Sequence, residues 1–198
     1  ITGPIRRRHG VEVEDLLFLK ANTTKQVKIT VPGPFTMSCQ AQNDFYASDA
    51  EAAMDYATAV NAEIRDLFAA GADVVQIDEP YMKAREYGRA GLNRALDGIT
   101  GTTAVHICFG YAAIIHERPS GYSFLPELRG CGCKQVSIET AQSKLDCSVL
   151  AQLDDKQIMV GCIDLSDMRV ETSEQVVARS KRALPYVAKE RVILAPDC

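Results

Sequence analysis

The chain has 198 residues, of which 46% are apolar, and a net charge of −4. This length and apolar content predict a single domain with a substantial core, while the charge gives no reason to expect a nucleic-acid or membrane partner. No apolar run approaches the ~18 residues of a membrane-spanning helix. Seven cysteines without a recognisable signal peptide predict free thiols in a cytoplasmic protein and no disulfide framework.

Strand-like and helix-like segments alternate along the chain. Strands are predicted at residues 27–31, 74–78, 103–108, 135–139, 158–163 and 192–195, and helices at about 48–71, 84–96, 122–129, 144–153 and 172–188. Ser48 with Glu51, and Thr172 with Gln175, form capping boxes at two of the helix starts. The strands are near-continuous aliphatic runs, which is typical of parallel strands covered on both faces. This rhythm predicts an α/β fold.

Polar residues stand at the carboxyl ends of most predicted strands. They are Asp78 and Glu79, His106 and Cys108, Glu139, Asp164, and Asp197 and Cys198. In a (β/α)8 TIM barrel these ends converge on one mouth, whereas in an open doubly wound sheet the outer strands would lie too far apart to share a metal. No glycine-rich dinucleotide fingerprint is present. We therefore predict a (β/α)8 TIM barrel with about six of eight βα units, one domain over residues 1–198 that lacks its N-terminal strands and last helix.

Four of these polar residues predict a metal site. One imidazole, one carboxylate and two thiols, from His106, Glu139, Cys108 and Cys198, are a plausible tetrahedral set for Zn²⁺. Structural zinc sites more often use closely spaced cysteine pairs, so this pattern favours a catalytic site. A thiol with a pKa of about 8.5 is mostly protonated at neutral pH, and coordination to zinc deprotonates it.

Other cysteines and one histidine allow alternatives. Cys131 and Cys133, with Cys147 further along, could form a second metal motif, but no histidine flanks them closely and surface or lightly packed thiols are the favoured interpretation. Cys39 and Cys162 are interpreted as packing residues of the core or the barrel mouth. His116 lies in a long loop after the strand at 103–108. It could cover the mouth or contact a substrate, but a solvent-exposed loop is the favoured interpretation.

Five short segments occur in an order that resembles a known family. They are Gly33-Pro34-Phe35-Thr36, Gln76-Ile77-Asp78-Glu79-Pro80, His106-Ile107-Cys108, Ser137-Ile138-Glu139 and Pro196-Asp197-Cys198. From about residue 27 onward the chain resembles the catalytic C-terminal domain of cobalamin-independent methionine synthase and its shorter single-barrel relatives. The resemblance implies a (β/α)8 barrel, zinc held by the four residues named above, and Asp78 as the residue that binds the amino group of homocysteine.

The resemblance is weaker on the side of the methyl donor. The family carries a tryptophan a few residues after Gly-Pro-x-Thr, against which the folate ring packs, whereas this chain has Met37-Ser38-Cys39-Gln40 and no tryptophan. The family also places a proton-donating histidine where this chain has Leu165. An acid matters there because an unprotonated folate amine is a poor leaving group. Asp78 and the residues expected to bind zinc are all present, so the site for the thiol acceptor is better defined than the site for the methyl donor.

The resemblance implies an S-methyltransferase that converts homocysteine to methionine, with a folate or a methylcorrinoid as donor. Asp78 and Glu139 are the predicted catalytic residues. The first alternative is an epoxyalkane–coenzyme M alkyltransferase or corrinoid-dependent methyltransferase on the same barrel, and the second is a barrel that binds zinc or a thiol without turnover. Asp78 favours an amino-acid thiol over coenzyme M, which has no ammonium group. The sequence leaves the oligomeric state open.

Overall fold

The computed structural model describes residues 1–82, 86–108 and 125–198. Within these ranges the elements are α1 (Val13–Ala21), β1 (Lys28–Pro32), α2 (Pro34–Gln40), α3 (Asp49–Ala69), β2 (Val74–Asp78), α4 (Glu86–Ala95), β3 (Thr102–Ile107), α5 (Leu125–Leu128), β4 (Gln135–Ile138), β5 (Gln157–Ile163), α6 (Ser173–Lys181) and β6 (Val192–Pro196). Two short 3₁₀ helices span Cys147–Gln152 and Lys189–Arg191. All six predicted strands are present within one or two residues of their expected bounds.

The six strands belong to one sheet with the order β1-β2-β3-β4-β5-β6. β1 and β2 pair in parallel with Lys28 opposite Val74, and β4 pairs in parallel with β5, with Gln135 opposite Gln157. β5 and β6 are also parallel. The predicted α/β architecture of about six βα units is confirmed. Within the described residues, the sheet runs in chain order from β1 to β6 and is not closed into a barrel.

The chain divides into two compact units, Ile1–Val105 with Cys131–Cys133, and His106–Gly130 with Lys134–Cys198. In the first unit, α3 buries one apolar face that includes Ala53, Ala57, Val60, Ile64 and Leu67. In the second unit, the core contains Val136, Ile138, Leu150, Ile158 and Val160. Burial of each larger aliphatic side chain contributes about 1.5–3 kcal/mol, so these faces hold the elements of each unit together.

Two predicted helices differ from the structure. The helix expected over 144–153 is replaced by turns and the 3₁₀ helix Cys147–Gln152. Asp146 accepts a hydrogen bond from the backbone N–H of Ser148, and the carbonyl of Leu145 accepts one from Arg182, so side chains replace the bonds of an α-helix. The helix that follows Thr172 has the predicted capping box but ends at Lys181, because a proline at position 185 restricts the chain around it.

Two helices were not predicted. α1 starts after Glu12, whose side chain makes no capping bond, so the sequence carries no start signal there. α2 does carry one, since Gly33 is its N-cap and Pro34 its first residue. None of the helices in the described part of the chain is long and apolar enough to span a membrane.

Candidate metal centre and substrate-binding residues

The structure brings the four predicted ligands together in the second unit. His106 lies on β3, Cys108 directly follows β3, Glu139 directly follows β4, and Cys198 stands two residues after β6. One ligand atom from each of the four lies within 4.8 Å of the others. His106, Cys108 and Glu139 are buried and Cys198 is partly exposed. Among the described residues this is the one cluster with the composition and spacing to hold a metal ion.

The donor set and its hydrogen bonds fit zinc. Two thiols and an imidazole are soft to intermediate ligands, which select zinc over magnesium or calcium. His106 Nδ1 lies 2.9 Å from the hydroxyl oxygen of Ser137, and a hydrogen bond at one ring nitrogen fixes the tautomer that presents the other nitrogen to a metal. Ser137 lies on β4, two residues before Glu139, so one short segment carries both a predicted ligand and the hydrogen-bond partner of His106. That these residues bind zinc remains a prediction.

Gln142 connects two of the predicted ligands, and the sequence reasoning missed it. Its side-chain amide donates to Glu139 Oε2 at 2.8 Å and to the backbone carbonyl of Cys198 at 3.1 Å. Because Glu139 Oε2 accepts from Gln142, Oε1 is the carboxylate oxygen that we expect to bind a metal. A glutamine in a polar turn three residues after a strand end gives no signal of such a role.

Asp197 holds the turn that follows Glu139. Its side chain is 3% exposed and accepts the backbone N–H groups of Thr140, Ala141 and Gln142 at 3.2, 3.0 and 2.7 Å. Burial raises the pKa of Asp197, although these three N–H groups act to lower it. Asp164, which also stands at the end of a predicted strand, instead accepts from the backbone N–H and hydroxyl of Ser166 within its own loop.

Asp78, in the first unit, is oriented by a chain of hydrogen bonds. Gln76 donates from its side-chain amide to Asp78 Oδ1 at 2.8 Å, and Lys28 Nζ donates to the carbonyl oxygen of the same amide at 2.5 Å. An ammonium can only donate, so Lys28 fixes which end of the Gln76 amide faces Asp78. Asp78 is half-buried. A carboxylate held in this way is suited to bind an ammonium group.

Glu79 has a structural role at the start of α2. It is fully buried, and its two oxygens accept the backbone N–H groups of Phe35 and Thr36 at 3.0 and 2.9 Å and the Thr36 hydroxyl at 2.7 Å. A Cβ on Gly33 would lie 2.1 Å from the Glu79 carboxyl carbon, so only glycine fits there. Burial raises the pKa of Glu79 to about 7, against the lowering effect of these hydrogen bonds.

The raised pKa of Glu79 predicts a pH-dependent stability. Between about pH 4.5 and 7 the folded protein retains a proton that the unfolded chain has lost, so the free energy of unfolding falls as pH rises, by on the order of 3 kcal/mol over the window. The substitution Glu79→Gln removes this titration, and urea unfolding at several pH values should give a flatter profile for the variant. Parallel profiles for variant and wild type would contradict the assignment.

The cysteines outside the predicted ligand set differ in their exposure to solvent. Cys131, Cys133 and Cys147 are buried, so the expectation of surface or lightly packed thiols was wrong, and none of them joins a metal cluster among the described residues. Cys162 is buried as expected, whereas Cys39 is exposed because it lies on the outward face of α2. His116 lies outside the described residues.

The parallel α/β sheet, with thiols, an imidazole and a carboxylate at its strand ends, defines an α/β protein with a candidate catalytic metal centre. The whole chain, residues 1–198, matches the family model described as cobalamin-independent synthase, catalytic domain, and the chain belongs to this family. The predicted family resemblance is therefore confirmed.

Individual relatives agree with this assignment. The methionine synthase of Sulfurisphaera tokodaii is 31% identical over 192 residues, which cover 94% of this chain and 54% of that protein. The methionine synthase of Saccharolobus solfataricus is 29% identical, over 100% of this chain and 59% of that protein. A B12-independent methionine synthase from Shewanella sp. W3-18-1, solved in complex with selenomethionine, has a TM-score of 0.88 at 31% identity, and the match covers 99% of this chain and 62% of that one. The chain thus spans little more than half the length of these curated relatives.

Proposed function

We propose that this chain carries the thiol-activating site of an S-methyltransferase that transfers a methyl group to homocysteine and releases methionine. The observation that carries the proposal is the cluster of two thiols, an imidazole and a carboxylate within 4.8 Å of one another. Membership of the cobalamin-independent synthase family supports the same reaction. The activity is proposed for the intact protein, since the chain covers 54% and 59% of two methionine synthases that it resembles.

The proposed cofactor is zinc, with His106, Cys108, Glu139 and Cys198 as its ligands. When bound there, zinc would lower the pKa of a substrate thiol and keep its sulfur nucleophilic at neutral pH. Ser137 orients the imidazole of His106, and Gln142 holds the carboxylate of Glu139. Fixed ligands of this kind reduce the reorganisation that substrate binding would otherwise require.

Asp78 is proposed to bind the amino group of homocysteine. A carboxylate and an ammonium form a charge-assisted hydrogen bond, which is about twice as strong as a neutral one. Gln76 and Lys28 hold Asp78 in one orientation, so its binding of an ammonium would cost little side-chain entropy. A thiol without an amino group, such as coenzyme M, would leave this carboxylate unused.

The residues at the positions of the family's folate contacts bear on which methyl donor this protein uses. Gln40 is exposed at the end of α2, and Leu165, in the loop after β5, is 55% exposed and has no proton to donate. A methylcorrinoid needs no protonated leaving group, whereas a folate amine does. We therefore expect transfer from a methylcorrinoid to be less impaired by Leu165 than transfer from methyltetrahydrofolate.

A set of parallel assays on the intact, zinc-loaded protein tests the proposed function. Homocysteine is supplied with methyltetrahydrofolate or with methylcobalamin, and methionine is quantified by mass spectrometry. A separate arm supplies coenzyme M with an epoxyalkane. Methionine in either of the first two arms supports the proposal and identifies the donor class, a product in the third arm alone would favour the alkyltransferase, and no product in any arm would favour a site that binds without turnover.

A further inference from the structure

We propose that Asp197 and Gln142 form a clamp that positions Glu139 and Cys198 before any metal binds. This inference rests on the proposed metal centre and adds two positioning residues to it. Glu139 follows β4 and Cys198 follows β6, so the chain between them, more than fifty residues long, does not itself fix their separation. The sheet brings the two segments near each other, and the clamp joins them directly by hydrogen bonds.

The first part of the clamp is the carboxylate of Asp197. Three consecutive N–H groups, from residues 140 to 142, converge on its two oxygens. Successive backbone N–H groups that point to one place form an anion-binding nest, and an anion in the nest fixes the conformation of the turn. This turn directly follows Glu139, and Asp197 directly precedes Cys198. One carboxylate therefore joins the backbones that carry two of the four predicted ligands.

The second part of the clamp is the side chain of Gln142. Its backbone N–H makes the shortest of the hydrogen bonds to Asp197, at 2.7 Å. This bond fixes the position of the Gln142 backbone from which the side chain extends. The side-chain amide then donates to Glu139 Oε2 and to the carbonyl of Cys198. Asp197 thus acts on the Glu139 carboxylate through Gln142, and on the Cys198 thiol through the adjacent backbone.

Other contacts hold the same turn independently of the clamp. The Thr140 hydroxyl donates to the carbonyl of Gly161 at 2.7 Å, and Arg182 donates to the carbonyl of Thr140 at 3.2 Å. Loss of the clamp should therefore loosen the ligands without unfolding the unit. Gly161 also leaves the space that Asp197 occupies, because a Cβ at position 161 would lie 1.8 Å from Asp197 Oδ1.

The test compares the zinc affinity of the intact wild-type protein with that of Asp197→Asn and Gln142→Leu, measured by competition with a chromogenic chelator. Asparagine offers one acceptor oxygen and turns an N–H₂ group toward the nest, and leucine removes the amide that holds Glu139. Each variant is expected to bind zinc about 10–100-fold more weakly, the usual effect of losing a residue that orients a ligand. In metal-free Asp197→Asn, amide hydrogen exchange at residues 140–142 should also be faster than in the wild type.

Two further variants separate positioning from general stability. Asp146 also accepts from a backbone N–H and a hydroxyl, both of Ser148, but it contacts none of the predicted ligands. Asp146→Asn should retain wild-type zinc affinity even if its unfolding midpoint falls. Gly161→Ala displaces the Asp197 carboxylate without changing it, and its Cβ also comes to 3.2 Å from the carbonyl oxygen of Ile138. Its loss of zinc affinity should resemble that of Asp197→Asn, and the two changes together should be less than additive.

The outcomes distinguish this inference from the proposed function. Wild-type zinc affinity in both Asp197→Asn and Gln142→Leu would overturn the clamp while leaving the metal centre intact. An equal loss of affinity in Asp146→Asn, in proportion to lost stability, would reduce Asp197 to a structural residue and also overturn the clamp. Failure of the wild-type protein to bind zinc would overturn the proposed function, and the clamp with it.

Discussion

Replacement of Cys108 by serine is expected to strip zinc from the intact protein and to abolish methyl transfer to homocysteine. Cys108 is buried and contributes one of the two thiols of the cluster. A serine hydroxyl stays protonated near neutral pH and is a poor zinc ligand. Four ligands together contribute about 10–16 kcal/mol to structural zinc sites, so the loss of one should cost about 3 kcal/mol, or about a hundredfold in affinity.

The measurement is the zinc content of purified protein after dialysis against a weak chelator, together with the rate of methionine formation. Cys147→Ser is the matched control, because Cys147 is also buried in the second unit but lies outside the cluster. Its thiol donates to the carbonyl of Leu145, a bond that serine can also make. Zinc content and activity should survive in Cys147→Ser. Full zinc content in Cys108→Ser, or equal losses in both variants, would contradict the assigned ligand set.

Replacement of Asp78 by asparagine is expected to raise the KM for homocysteine about 10–100-fold with a smaller change in kcat. The reason is that asparagine removes the negative charge that would pair with the substrate ammonium, and a hydrogen bond to a charged group contributes about 1.5–3 kcal/mol. Zinc content should be unchanged, since Asp78 belongs to the first unit and is not one of the clustered ligands. A change confined to KM would indicate a loss of substrate binding.

A comparison of two substrates makes the role of Asp78 specific. 4-Mercaptobutyrate has the thiol and carboxylate of homocysteine but no amino group, so the wild-type protein should discriminate strongly against it and Asp78→Asn should not. Gln76→Leu removes the bond that orients Asp78 and should raise the KM for homocysteine by a smaller factor. Asp97→Asn, at an exposed residue paired with Arg94, is the control. Undiminished discrimination in Asp78→Asn would rule out its contact with the ammonium group.

The parts of the site that were predictable from sequence are those that follow from strand polarity. His106, Cys108, Glu139 and Cys198 stand at or just after strand ends, and parallel strands bring such ends to one edge of a sheet. Ser137 lies two residues before Glu139 on the same short segment, so the partner of His106 could also have been found.

The clamp, in contrast, had no sequence signal. Asp197 and Gln142 are 55 positions apart and meet only because β4, β5 and β6 are neighbours in the sheet. Their order in the chain does not reveal which backbone N–H groups converge on a carboxylate. The need for glycine at position 161 was not predictable either, because the atom that excludes a Cβ there belongs to Asp197, which is distant in sequence.

The secondary structure was also predictable in some segments and not in others. Regular elements with caps and long apolar faces, such as α3 with its N-cap Ser48, were predicted from local pattern. The segment 144–153 was predicted as a helix because its composition suits one, but tertiary bonds from Arg182 and the side chain of Asp146 determine its conformation. Contacts made by residues distant in sequence outweigh propensity where a segment is short.

The central claim is that the cluster binds zinc and activates a thiol. Zinc-edge X-ray absorption on the intact protein, with and without homocysteine, tests it most directly. The predicted result is one zinc per chain with two sulfur ligands and nitrogen or oxygen for the rest, and one additional sulfur when homocysteine is present. Absence of stoichiometric zinc, or a coordination shell that homocysteine and other thiols leave unchanged, would contradict the account.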